Sequence, residues 1–145
     1  MKKSALLFFS LILAFAIAGC GETDGSLYPT QQVLPQDGSG NFVLYVSNQS
    51  FDIPTVDIQV TIDGKTAVSA TFEVKNQHNW IKHTFLLAPG KHVLKASSVT
   101  GEATVESEFE VNERLWGVLN YWYYARLGGN KFLEFRTQDT PMLFI

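Results

Sequence analysis

Three histidines, at positions 78, 83 and 92, are the residues of this chain best suited to gather a metal ion. A metal site needs at least three converging ligands, often with a carboxylate or thiolate among them. If the stretches flanking "APG" (88–90) form a hairpin, His92 falls opposite Phe85 or Leu87 and His83 opposite Leu94 or Ala96. In one such register the two histidines are diagonal neighbours. No acidic residue stands at matching parity, and Cys20 lies far up the chain. Histidines packed near a strand edge are therefore expected, with no metal and no cofactor.

Nucleophilic chemistry has even less to build on. There is no Gly-x-Ser-x-Gly elbow, and the lone cysteine precedes any folded segment. Glycosidase-type carboxylates need one partner in an apolar pocket that raises its pKa. Here the acidic residues fall on what read as solvent faces, including the stripe Glu106, Glu108 and Glu110 and the isolated Asp57 and Asp63. Three carboxylates on one strand face fall short of the six to eight oxygens calcium draws from curling loops. A charged outer face that blocks edge aggregation is the simpler reading. An enzyme would need a site built from loops whose register a single sequence does not give.

The densest chemistry is aromatic. Residues 116 to 124, "WGVLNYWYY", hold two of the three tryptophans and three of the five tyrosines. By strand parity Trp116, Val118, Asn120, Trp122 and Tyr124 share one face, and Leu115, Gly117, Leu119, Tyr121 and Tyr123 the other. One face must be core. The other is covered from within, by the C-terminal "PMLFI" or the segment around Trp80, or forms a protein interface, or stacks on sugars with Asn120 as a polar contact. A membrane-interface role is the remaining option. Trp116, Asn120, Trp122 and Tyr124 are the candidate binding face.

The elements that must carry these residues read as strands. Val56, Ile58, Val60 and Ile62 alternate with Thr55, Asp57, Gln59 and Thr61, the pattern of a half-buried strand. Asp63-Gly64 then separates this run from Val68, Ala70, Phe72 and Val74, a strong hairpin signal. Phe42, Leu44 and Val46 form an earlier strand; Ile81, Phe85 and Leu87, then Leu94 and Ala96, then Ala103, Val105, Phe109 and Val111 continue the alternation. After the aromatic run come "LGGN", "KFLEFRT" and "MLFI". About seven to nine short strands, each with an apolar face, predict an all-β, two-sheet antiparallel sandwich of immunoglobulin-like architecture over residues 41–145. The stretch "LLAPGKHVLKA" (86–96) resembles a strand-turn-strand of immunoglobulin-like and transthyretin-like bacterial modules, a resemblance that implies a fold and no activity.

The beginning of the chain is of another kind. Lys2 and Lys3 precede an uncharged run from Ser4 to Gly19, and Cys20 follows. This is the three-part form of a secretory signal, too short and too bare of flanking charge for a spanning helix. Ile17-Ala18-Gly19-Cys20 resembles the lipobox of bacterial lipoproteins. The resemblance implies removal of residues 1–19 and a diacylglyceryl thioether on Cys20, which would anchor the chain to a membrane. Each buried methylene adds about 0.8 kcal/mol, so two or three acyl chains hold durably. Gly21 stands where an aspartate would favour inner-membrane retention, so the outer membrane is favoured in an envelope with two. Residues 20–40 read as lipidated cysteine and flexible tether, being rich in Gly, Ser, Thr, Asp, Gln and Pro.

Without residues 1–19, nine Lys and Arg face 14 Asp and Glu, a formal charge of −5 on 126 residues. Such acidity disfavours nucleic acid as a partner. The expected role is non-catalytic: an envelope lipoprotein whose sandwich recognises a protein partner or envelope component, with carbohydrate binding through exposed rings as the alternative.

Overall fold

Thr55–Ile62 alternates β-branched apolar residues with polar ones, and in the computed structural model it is a strand whose Val56, Ile58, Val60 and Ile62 are buried. The structure describes residues 31–75 and 79–144. In chain order the strands are β1 (Phe42–Asn48), β2 (Thr55–Ile62), β3 (Lys65–Glu73), β4 (Ile81–Phe85), β5 (Gly90–Ser98), β6 (Ala103–Val111), β7 (Leu115–Trp122) and β8 (Phe132–Gln138). They form two four-stranded sheets, ordered β4-β1-β7-β8 and β3-β2-β5-β6. The protein is an all-β two-sheet sandwich. One pairing departs from the antiparallel expectation: β1 and β7 run parallel, with Phe42 beside Leu115 and Asn48 beside Tyr121.

The Asp63-Gly64 hairpin forms as its sequence dictates. Both residues have positive φ, 50° and 76°, the geometry of a two-residue turn that matches strand twist. A bulge follows, with Val60 paired to Val68 and Thr61 to Thr66.

The "APG" hairpin does not form. β4 pairs with β1, whereas β5 is flanked on both edges by β2 and β6 and has no edge left for β4. Residues 86–89 are therefore a crossover between sheets. It is held by Asn41, whose Nδ2 donates to Leu87 O at 3.0 Å and whose Oδ1 accepts Leu87 N–H at 2.9 Å. His83 and His92 consequently stand on different sheets rather than as diagonal neighbours.

The core lies between the sheets. Phe42, Leu44, Phe72, Phe85, Ile58, Leu94, Leu119 and Tyr121 are fully buried, each contributing on the order of 1.5–3 kcal/mol if aliphatic or phenyl. Phe42 stacks on Phe109 at 4.8 Å, joining one sheet to the other. The N-terminal arm closes one open side: Leu34 N–H donates to Thr66 O, Thr66 N–H to Gln32 O, and Asp37 N–H to Thr84 O. Residues 32–37, expected to belong to the 20–40 tether, are thus hydrogen-bonded to the domain because they satisfy backbone groups at the edges of β3 and β4.

Candidate functional site

The aromatic strand divides as its parity requires. Along β7 the residues Leu115, Gly117, Leu119 and Tyr121 are buried, while Trp116, Val118, Asn120 and Trp122 are half-buried on the outer face of their sheet. Part of that face, around Asn120, is covered from within the domain. Trp80 donates from Nε1 to Asn120 Oδ1 at 3.0 Å, and Phe144 stacks on Trp80 at 4.2 Å with an interplanar angle of 17°. Tyr45 meets the Phe144 ring edge-on at 5.0 Å. The segment after β8 therefore runs back over the sheet as far as Tyr45 of β1.

The four candidate residues of the aromatic face are not gathered into one site; of them only the Trp122 and Tyr124 rings are neighbours, 5.8 Å apart. Trp116 lies under the Arg114 guanidinium, 5.5 Å from its ring centroid, and beside Gln138. Trp122 is six residues along, roughly 20 Å away. Asn120, between them, has its acceptor engaged by Trp80. Trp122 Nε1 is buried with no hydrogen-bond partner among the described residues. Tyr124 has left the strand and belongs to a different surface. Cys20, the expected lipid anchor, and His78 lie outside the described residues.

That different surface is one end of the sandwich. Register places the ends of β1, β3, β5 and β7 and the starts of β2, β4, β6 and β8 together there. The arm, the Asp63-Gly64 turn and the 86–89 crossover occupy the opposite end. At the first end, loop 49–54 is held without slack. Asn48, fully buried, donates to Ile53 O and Phe72 O at 3.0 and 3.2 Å and accepts Ser50 N–H at 3.0 Å. Ser50 Oγ donates to Tyr123 O and accepts from the Asp52 and Ile53 N–H groups. Phe51 N–H donates to Tyr123 O.

Loop 123–131 answers it with a single 3₁₀ turn, Ala125–Leu127, closed by Gly128 at φ 66°. Asp52 Oδ2 accepts the Ala125 N–H at 2.7 Å and ties the two loops. The Phe51 and Tyr124 rings lie 4.9 Å apart at 38°, and Trp122 continues the row 5.8 Å from Tyr124. Desolvation raises the Tyr124 phenol above its usual pKa of 10, so it is a neutral hydroxyl at physiological pH. Phe51, Asp52, Tyr124, Arg126 and Leu127 line an open cleft of about 420 Å³. Phe51 is 68% exposed and Leu127 83% exposed.

Sequence reading selects Tyr124 and misses the other four. Phe51 follows "SNQS", which reads as a strand break, and Leu127 sits in a turn; an apolar residue inside a polar loop is the signal that could have found them.

The remaining titratable groups are dispersed. Among the described residues no three His, Cys, Asp or Glu side chains converge on a point. Glu106, Glu108 and Glu110 point to solvent opposite Lys95, Val93 and Lys91, with Glu106 3.1 Å from Lys95. His83 Nδ1 accepts a bond from Gln36 Nε2 at 2.8 Å, its Nε2 is buried with no partner among the described residues, and burial lowers its pKa. Asp57 and Asp63, expected as plain surface carboxylates, instead brace turns: Asp57 accepts the Val99 and Thr100 N–H groups, and Asp63 accepts the Val93 N–H.

No protein-family model, curated protein or solved structure matches the chain.

Proposed function

We propose that this protein is a bacterial envelope lipoprotein, cut and lipidated at Cys20, whose sandwich is non-catalytic and serves recognition of a protein partner or envelope component. The observation that carries the recognition half is the exposed, braced cleft of Phe51, Asp52, Tyr124, Arg126 and Leu127 at the end opposite the N-terminal arm. Strands of seven to nine residues separate arm and cleft, about 25 Å. A chain tethered through its N-terminus would present the cleft away from the lipid surface. The anchoring half rests on Ile17-Ala18-Gly19-Cys20.

The strand order departs from the immunoglobulin one. In antibody constant domains the first two strands share a sheet, whereas β1 and β2 here belong to different sheets. The likeness to immunoglobulins is then one of architecture and not of connectivity.

Two measurements test the proposal. Cys20→Ser is expected to move the protein out of the membrane fraction; a variant that still partitions with membranes removes the anchor. A photo-crosslinking residue at position 127 is expected to form envelope adducts that Tyr124→Ala suppresses, while one at Lys91, at the arm end, forms none. Adducts indifferent to Tyr124 would remove the assigned recognition surface.

A further inference from the structure

We infer that the cleft between loops 49–54 and 123–131 binds a neutral glycan, with Phe51 and Tyr124 against sugar faces and Asp52 and Arg126 on sugar hydroxyls. The inference rests on the recognition reading and deepens it by naming the ligand class.

The rings come first. Phe51 is 68% exposed although the backbone on both sides of it is fixed by the Ser50 and Asn48 hydrogen bonds. Its exposure is built in, not the result of a loose loop. A phenyl face held in water gains by covering, and a pre-ordered loop loses little entropy when it is covered. At 4.9 Å and 38° the Phe51 and Tyr124 rings brace each other, and the exposed side of Phe51 stays open to the C–H surface of a sugar ring.

Charge decides the class. Asp52 commits Oδ2 to the Ala125 N–H, and no partner for its Oδ1 or for the Arg126 guanidinium is present among the described residues. One acceptor carboxylate and one five-donor fork thus face the same cleft with a net charge of zero. An anionic ligand would meet Asp52 and a cationic one Arg126; a neutral polyol pairs with both. Burying the two charges under a protein partner's apolar patch would strip their hydration without replacing it, whereas hydroxyl groups replace the water each loses. The volume of about 420 Å³ lies in the range of small-ligand sites, and the cleft is open at Leu127 so that a longer chain could run out of it.

The test titrates the full-length protein, in a zwitterionic detergent free of sugar, with neutral oligosaccharides of glucose, galactose, mannose and N-acetylglucosamine. Binding is read by calorimetry and by indole fluorescence, since Trp122 adjoins Tyr124. At least one series is expected to bind saturably, with Tyr124→Ala and Arg126→Ala each weakening binding about tenfold and Lys91→Ala leaving it unchanged. Thermal midpoints of the variants separate lost binding from lost fold. Absence of binding by every neutral series, or binding indifferent to Tyr124 and Arg126, overturns the glycan assignment. If a peptide binds at Tyr124 and Arg126 while no sugar does, the glycan assignment falls and the recognition surface stands. If the position-127 adducts are also independent of Tyr124, both fall.

Discussion

The His92 imidazole lies with Nδ1 2.6 Å from Asp63 Oδ2, while its Nε2 lies 2.8 Å from Ala88 O. Both neighbours are acceptors, so both ring nitrogens must donate, and only the protonated ring does that. Burial alone pushes the His92 pKa down, but the bonds to Asp63 and Ala88 and the Asp63 charge outweigh it and leave it raised above 6.5. Burial likewise opposes the Asp63 charge, yet its bonds to His92 and Val93 leave the carboxyl below 3.8.

A raised histidine stabilises the fold below pH 6.5, and that contribution is lost as pH rises through the folded pKa. A depressed carboxylate stabilises above pH 3.8 and loses its contribution as pH falls through its folded pKa. The pair therefore contributes most between pH 3.8 and 6.5. His92→Gln should lower the thermal midpoint most in that window, by the equivalent of about 1–3 kcal/mol, and least at alkaline pH, once the raised folded pKa has been passed. His83, whose pKa burial lowers, acts with the opposite sign, so the difference between wild type and variant isolates His92. Calorimetric scans from acid to alkaline pH measure it; a pH-independent difference would mean that the ring is neutral.

Asp57 braces the turn between β5 and β6. The Val99 N–H above all, then the Thr100 N–H, hold its carboxyl at about 2. Asp57→Asn should cost about 1 kcal/mol at neutral pH, given that the carboxylate is partly exposed and screened. The wild-type advantage should be whole above pH 3.8 and vanish as pH falls through about 2. Urea midpoints of both proteins across that range check it.

Tyr121 is 0% exposed and donates to Gly101 O at 3.1 Å, linking the end of β7 to the turn of the other sheet. Tyr121→Phe should cost about 1 kcal/mol, the usual net value of one hydrogen bond. Gly101→Ala should cost more, because a Cβ there would sit 2.5 Å from the Tyr121 ring and 2.6 Å from Ser98 Oγ. Denaturant unfolding ranks the two; the reverse order would mean that the turn yields easily.

Phe144 lies on Trp80 and against Tyr45. Phe144→Ala should uncover the outer face of β1 and β7, shift indole emission to the red and lower stability by about 0.5–1.5 kcal/mol. Unchanged emission would mean that the C-terminal segment does not cover this face in solution.

Particular residues show how far the sequence is legible. Val56, Ile58, Val60 and Ile62 announce a half-buried strand, and Asp63-Gly64 announces its turn, because period-two alternation and positive φ are local properties. "APG" misleads for the same reason: Pro89 and Gly90 mark a change of direction, but whether the next strand returns to the same sheet depends on which edges β1, β2 and β6 have already taken. Phe51 and Tyr124 stand 73 positions apart, and no local pattern reports that their loops meet; the link is Asp52 reaching the Ala125 N–H.

The sequence by itself determined the two-sheet β architecture and the division of the rings of "WGVLNYWYY" between opposite faces, since alternation along a strand allows no other arrangement. Only the tertiary structure decided which face was free. Trp80 and Phe144 cover the outer face of β7 at Asn120, and the most exposed ring, Phe51, lies instead where two loops are brought to one end of the sandwich, because strand pairing, a non-local property, fixes where loop ends meet.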